Sequence, residues 1–152
     1  SFVVSLLNTD SHNDIIRRSA ISYYGKVKSN ENYNRLKTLA SYGGTTWDAR
    51  PEAINQLTNY IKTNSEVIEI FLKLLNDPSR SVRKNCIRAI GKYGNKNHIS
   101  YLDEVLHEDP ILSKDIRRAK NRINKKSFVE NKNDQKIYRL NKKIEDIRKI
   151  IE

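Results

Sequence analysis

Val82-Arg83-Lys84-Asn85-Cys86-Ile87-Arg88-Ala89-Ile90 is the third of three segments that share one pattern at a constant offset of 33 residues. The others are Ile16-Arg17-Arg18-Ser19-Ala20-Ile21-Ser22-Tyr23-Tyr24 and Ala49-Arg50-Pro51-Glu52-Ala53-Ile54-Asn55-Gln56-Leu57. In each, an apolar residue precedes Arg, and a small residue follows the Arg three positions on (Ala20, Ala53, Cys86). Ile comes next (Ile21, Ile54, Ile87), then a large apolar residue three later (Tyr24, Leu57, Ile90). Steps of three and four put the apolar members on one helical face. A weaker fourth copy runs from Ile116-Arg117-Arg118-Ala119 to Ile123 at an offset of 33 to 34. Degeneracy is expected of a terminal unit with a single neighbour.

Each Arg-bearing helix is preceded by another amphipathic stretch: Phe2 to Leu7, Tyr33 to Ala40, Val67 to Leu75 and Ile99 to Leu106. Breakers separate the members of a pair, namely Gly43-Gly44, Asn76-Asp77-Pro78-Ser79 and Glu108-Asp109-Pro110. Proline clashes with the preceding turn of a helix, whereas Pro51 is tolerated in a first turn, where its missing donor costs nothing. Gly91 and Gly94 are placed to close the third Arg-bearing helix in a left-handed conformation. No segment alternates with period two. The expected fold is therefore all-α: an α-solenoid of about four helical hairpins over residues 1–126, followed by a C-terminal amphipathic helix over 127–152.

In that last segment Ile137, Leu140, Ile144, Ile147 and Ile151 fall at alternating steps of three and four, the spacing of a heptad seam. The seam has barely more than two heptads, and a lone helix of this length is marginal in water, so its stripe needs a surface to meet. We expect it to pack back over the last repeat as a cap, with pairing to a second chain as the alternative.

Composition removes several classes. A chain of 152 residues can bury roughly 70% of the surface it exposes when unfolded, so a core needs no disulfide or metal staple. A single cysteine forms no internal bridge, which fits a reducing, cytoplasmic setting. No apolar run approaches the roughly 18 residues of a membrane span, and no membrane partner is expected. No Cys/His cluster has zinc spacing, so neither a metal nor any other cofactor is expected here. The chain starts without Met on an apolar Phe2-Val3-Val4, which suggests a segment of a longer protein. The net charge of +11 is concentrated in residues 65–126, with 14 basic against 8 acidic groups. Such an excess favours anionic partners, nucleic acid or an acidic protein surface, although charges spread over helices also serve solubility.

Two sets of cations stand out. Arg17, Arg50, Arg83 and Arg117 recur once per repeat and are expected to form a structural ladder, reaching Asp48, Asp77 or Asp109 in the next unit's loop. Arg80, Lys84, Arg88, Lys92 and Lys96 recur at steps of four as a basic stripe. Arg118 and Arg122, with Lys114, Lys120, Lys125 and Lys126, extend it into the next repeat, near Tyr93 and Tyr101. This stripe is the candidate for binding anions or a partner. Cys86 stands where Ala20 and Ala53 stand and should be a buried small hydrophobe. Trp47, between helices, is expected to pack on the adjacent pair. His12, His98 and His107 are dispersed; His107-Glu108 begins an H-E-x-x-H motif that Pro110 and Ile111 break. With no nucleophile elbow, phosphate loop or paired carboxylates, no catalytic residue is assigned.

Leu74-Leu75-Asn76-Asp77-Pro78 followed by Val82 to Gly94 resembles a HEAT repeat of the bacterial and archaeal kind, over about residues 1–125. More narrowly, Ile16 to Gly25, then Tyr42-Gly43 through Trp47 to Ala53-Ile54, and a closing charged heptad helix resemble the C-terminal region of aminopeptidase N-type zinc peptidases. That family binds zinc through H-E-x-x-H and a distant Glu in an upstream catalytic domain, so zinc would belong there and not here. The resemblance implies a non-catalytic domain that restricts substrate access or mediates assembly, with the upstream catalytic domain as its partner. Two alternatives stand beside it. One is a free-standing scaffold that binds a protein. The other is a basic HEAT protein on nucleic acid, as in helical-repeat DNA glycosylases, for which Asp103, Glu104 and Asp115 are nominal carboxylates.

Overall fold

The structure is a computed structural model that describes residues 2–151, with side chains to residue 148. Among the described residues there are eight α-helices and no strand. They are α1 (Phe2–Leu6), α2 (Ile15–Lys26), α3 (Asn30–Ala40), α4 (Arg50–Leu57), α5 (Glu66–Lys73), α6 (Arg80–Tyr93), α7 (Ile99–Glu108) and α8 (Ser113–Ile151). They form four consecutive pairs. The second members, α2, α4, α6 and α8, lie side by side in one row, and α3, α5 and α7 pack against α4, α6 and α8 as a second layer. The chain is an α-solenoid with a long terminal helix.

The repeated face explains the stacking. Ala20, Ala53, Cys86 and Ala119 are buried at equivalent places, as are Ile21, Ile54 and Ile87, and then Tyr24, Leu57, Ile90 and Ile123. Small residues let neighbouring second helices approach, and the branched residue beside each fills the space between layers. From the outer layer Leu36, Phe71 and Leu102 complete one continuous core. A single hairpin would leave this face in water, so burial is gained only by stacking. Polar ties join neighbouring repeats within each layer as well. Tyr33 donates to Glu66 Oε2 at 2.9 Å, and Tyr60 donates to the Tyr24 carbonyl at 3.2 Å. Burial first, and the Glu66 carboxylate second, push the Tyr33 hydroxyl up to about 12.

Local chemistry sets the helix ends. Ser29 caps α3 by accepting from the Asn32 amide at 3.1 Å. Asn13 and Asp14 both have positive φ, 51° and 53°, a conformation that Asn and Asp tolerate better than other side chains. Neither Gly91 nor Gly94 takes the expected left-handed cap. Gly94 is extended, with φ −72° and ψ 178°, and Gly91 lies inside α6, where its missing side chain serves packing. A Cβ there would come within 2.6 Å of the Ala119 Cα.

Three further expectations need correction. Trp47 does not pack on the adjacent pair: Thr46, Ala49 and Arg50 anchor the loop inward, which turns the indole out, 70% exposed. The terminal segment does not fold back as a cap either. No Gly or Pro occurs between Ser113 and Ile151, so nothing interrupts α8, and the 126/127 boundary falls inside one continuous helix. Ile137, Leu140, Ile144 and Ile147 stand exposed on its projecting part, while the side chain of Ile151 lies outside the described residues. Finally, Arg117 leaves the arginine register. Ala119 and Ile123 keep the 33-residue offset from Cys86 and Ile90, so the buried Ile116 occupies the equivalent of Arg83 and Arg117 turns to solvent.

Gly91→Ala should lower stability despite the better helix propensity of Ala. Overpacking costs about 1–3 kcal/mol and the propensity returns about 1 kcal/mol. Thermal melts should therefore show a lower Tm for Gly91→Ala, and an unchanged or higher Tm would refute the contact with Ala119.

Candidate functional site

Each of the first three arginines clamps two segments. Arg50 is 3% exposed; it donates to the Ala40 carbonyl through Nε at 3.2 Å and Nη2 at 3.0 Å, and it grips both carboxylate oxygens of Asp77. Asp77 Oδ1 also accepts from the Ser79 amide at 2.9 Å. The end of α3, the start of α4 and the loop before α6 therefore meet at one buried ion pair. Arg83 repeats the arrangement one unit later, donating to the Asp77 carbonyl at 2.5 Å and to Asp109 Oδ2 at 2.6 Å. Arg17 departs from it. Asp48 was expected as its acceptor, but Arg17 bonds Asp14, Asp10 at 3.1 Å and Thr46 at 3.3 Å, with Nε on the Leu7 carbonyl at 2.6 Å. Asp14 also accepts from the Thr46 hydroxyl, so the left-handed Asp14 substitutes for a carboxylate in the next loop.

The basic stripe is divided by its partners. Arg80 is drawn to Asp109 at 3.0 Å, beside Arg83. Lys84 and Arg88 share Asp115 at 3.5 and 3.4 Å. Lys92 lies over the Tyr93 ring, 5.0 Å from its centroid. Lys96 sits past the end of α6 in a separate hollow of about 420 Å³ that also contains Tyr93, Lys126 and Glu130.

One convergence remains. Arg88 from α6 and Arg118 and Arg122 from α8 line a cavity of about 240 Å³ floored by Asp115 and Ala119. The Gly91–Ala119 contact holds the two helices close enough to form it. With Lys84 alongside, four cations face one carboxylate, which leaves guanidinium donors to spare for an incoming anion. Along the same row, Arg18, Asp48, Glu52, Asn55 and Asn85 border a groove of about 430 Å³. The surface thus passes from mixed and amide-rich at α2 and α4 to basic at α6 and α8.

Of the remaining candidates, Asp103 is paired with Lys120 at 2.6 Å, and Asp115 is held by Lys84 and Arg88. Arg117 lines a separate hollow of about 590 Å³ against Leu106. Cys86 is fully buried, and burial pushes its thiol well up, away from the reactive thiolate. Among the described residues no group of three or more His, Cys, Asp or Glu converges on a metal position, and no helix is long and apolar enough to cross a membrane. The Asp14–Thr46 closure of the ladder was not anticipated, and the adjacent Asn13-Asp14, both tolerant of positive φ, was the one available signal.

The ladder makes two measurable statements. Arg50→Ala leaves a buried carboxylate uncompensated and should cost about 3–5 kcal/mol, whereas Arg117→Ala should stay within about 0.5 kcal/mol; urea denaturation distinguishes them. Arg83 first, and Arg80 second, hold the Asp109 carboxyl below its ordinary range. An unfolded Asp takes up its proton near about pH 4, and the folded one only at lower pH. The stabilisation is therefore present above about pH 4 and is lost as the pH falls through the folded value. Asp109→Asn should be less stable than the native chain at neutral pH, and the gap should narrow as denaturation is repeated toward about pH 2.

No characterised protein and no solved structure matches the chain. The profile of HEAT repeats matches residues 43–120, which spans α4 to the first turns of α8 and includes both the Arg50–Asp77 and Arg83–Asp109 clamps. No link to the zinc aminopeptidases accompanies it. With that match over half its length and four stacked helix pairs, the chain belongs to the HEAT-repeat family.

Proposed function

We propose that the chain is a non-catalytic scaffold that docks an acidic segment of a protein partner along its row of second helices, with the partner's carboxylates seated in the Arg88–Arg118–Arg122 cavity. The observation that carries this reading is the convergence of three guanidiniums from two helices on one hollow of about 240 Å³. Planar guanidiniums match carboxylates in paired hydrogen bonds. The neighbouring amide-rich groove offers donors and acceptors suited to a peptide backbone. Nucleic acid is the less favoured occupant, because its charge is continuous and its phosphates would meet Asp48 and Glu52 in the groove, whereas a peptide can confine its carboxylates to the cavity and lay neutral backbone beside those two acids.

A narrower version makes this scaffold the accessory C-terminal domain of a zinc aminopeptidase, with the catalytic domain as its partner. Its support is the layout of Ile16 to Gly25, Trp47 and the terminal helix. An H-E-x-x-H motif encoded upstream in the same reading frame would select it.

Titration of the full chain with labelled oligoglutamate, followed by anisotropy, should give salt-sensitive binding. Replacing Arg88, Arg118 and Arg122 together by Ala should weaken it by roughly tenfold. Tighter binding of duplex or single-stranded DNA of equal charge, or indifference to the three substitutions, would overturn the proposal.

A further inference from the structure

The projecting part of α8 carries an apolar stripe with a defined charge frame. Ile116, Ala119 and Ile123 are buried at steps of three and four on the solenoid. The same steps continue through Lys126, Glu130 and Asn133 to Ile137, Leu140, Ile144 and Ile147. The packing face of the helix therefore becomes polar where the repeats end and apolar again beyond them. Every residue from 131 to 148 is exposed, and the four seam side chains are 51–56% exposed. With Ile137 and Ile144 at position a and Leu140 and Ile147 at d, the flanking e and g positions are Lys136, Asn141, Lys143 and Arg148. Three are cations and none is acidic. Within residues 136–148 the acids, Glu145 and Asp146, fall at b and c, on the side away from the seam, and Asp134 falls at e one turn before Ile137.

Flanking charges set the partner and orientation of a coiled coil. Two copies of this helix in parallel would set Lys143 against Arg148, and in antiparallel they would set lysine flank against lysine flank. We propose that residues 136–148 form one strand of a heterotypic coiled coil whose other strand is a partner helix with apolar a and d positions and Glu or Asp at e and g. The neutralised cations of Lys136, Lys143 and Arg148 make the pairing selective, and the four apolar side chains hold it. This surface is separate from the Arg88 cavity and goes beyond the docking reading given above.

Two synthetic helical peptides with the same Ile/Leu seam, one with Glu and one with Lys at every e and g position, are the probes for the full chain. Anisotropy titrations should show the Glu peptide binding at least about tenfold more tightly than the Lys peptide, with the difference shrinking as salt rises. The triple variant Lys136→Glu, Lys143→Glu, Arg148→Glu keeps the seam and should reverse the preference. Replacing Arg88, Arg118 and Arg122 by Ala removes any contact of the peptide with the cavity and should leave the preference for the Glu peptide over the Lys peptide in place, which distinguishes this surface from the cavity. Equal binding of the two peptides, binding of neither, or loss of that preference in the cavity variant would overturn the proposal. So would a dimer of the unliganded chain in sedimentation that Ile144→Asn dissociates, because the occupant would then be a second copy.

Discussion

A helical hairpin of this protein cannot cover its own apolar face. The small residue of each second helix, Ala20, Ala53, Cys86 or Ala119, is buried, with Ala119 set against Gly91 of the neighbouring second helix, and Ile21, Ile54 and Ile87 are fully buried in the stacked core. Side-to-side burial is the main stabilising term, at roughly 1.5–3 kcal/mol for each large apolar side chain. It acts between neighbours, which is why the architecture is a row and why its last unit ends differently from the others.

Burial alone does not fix how one pair sits on the next, because apolar contact has no preferred direction. The arginine clamps add that direction. Arg50 ties the α3 carboxyl end to the loop before α6 through Ala40 and Asp77, and Arg83 ties that loop to Asp109. A buried ion pair adds little net stability over an apolar replacement, but it tolerates few alternative placements. In this chain it sets the spacing of the repeats, and that spacing brings Arg88, Arg118 and Arg122 to one cavity.

The long α8 joins two surfaces of different chemistry. Its first turns belong to the core and to the cationic cavity, and its last turns stand clear of the solenoid with apolar and basic faces displayed. On the two readings proposed above, a HEAT-repeat chain of this design would hold two partner segments at once, one on the row and one on the projecting helix. Both would lie on one continuous helix of 39 residues, about 58 Å long from end to end at the standard rise per residue.

The sequence by itself determined the helical class, the 33-residue repeat, the buried Ala, Cys and Ile positions, and the existence of a terminal seam. All of these follow from period and residue size within one helix. It also pointed to Asp77 and Asp109 as acceptors, because breaker loops place acids at a fixed distance from the arginines. Only the tertiary structure decided that Arg17 closes on Asp14 and Thr46, that Arg117 lies outside the ladder, that Trp47 faces water, and that the basic stripe breaks into an ion pair, a cavity and a separate hollow. Those outcomes depend on the angle and distance between helices, which no single-helix pattern contains. For the same reason the fate of α8 was open in the sequence: an unbroken helix can cap or project, and the direction in which the last pair aims it, away from the repeats, made the difference.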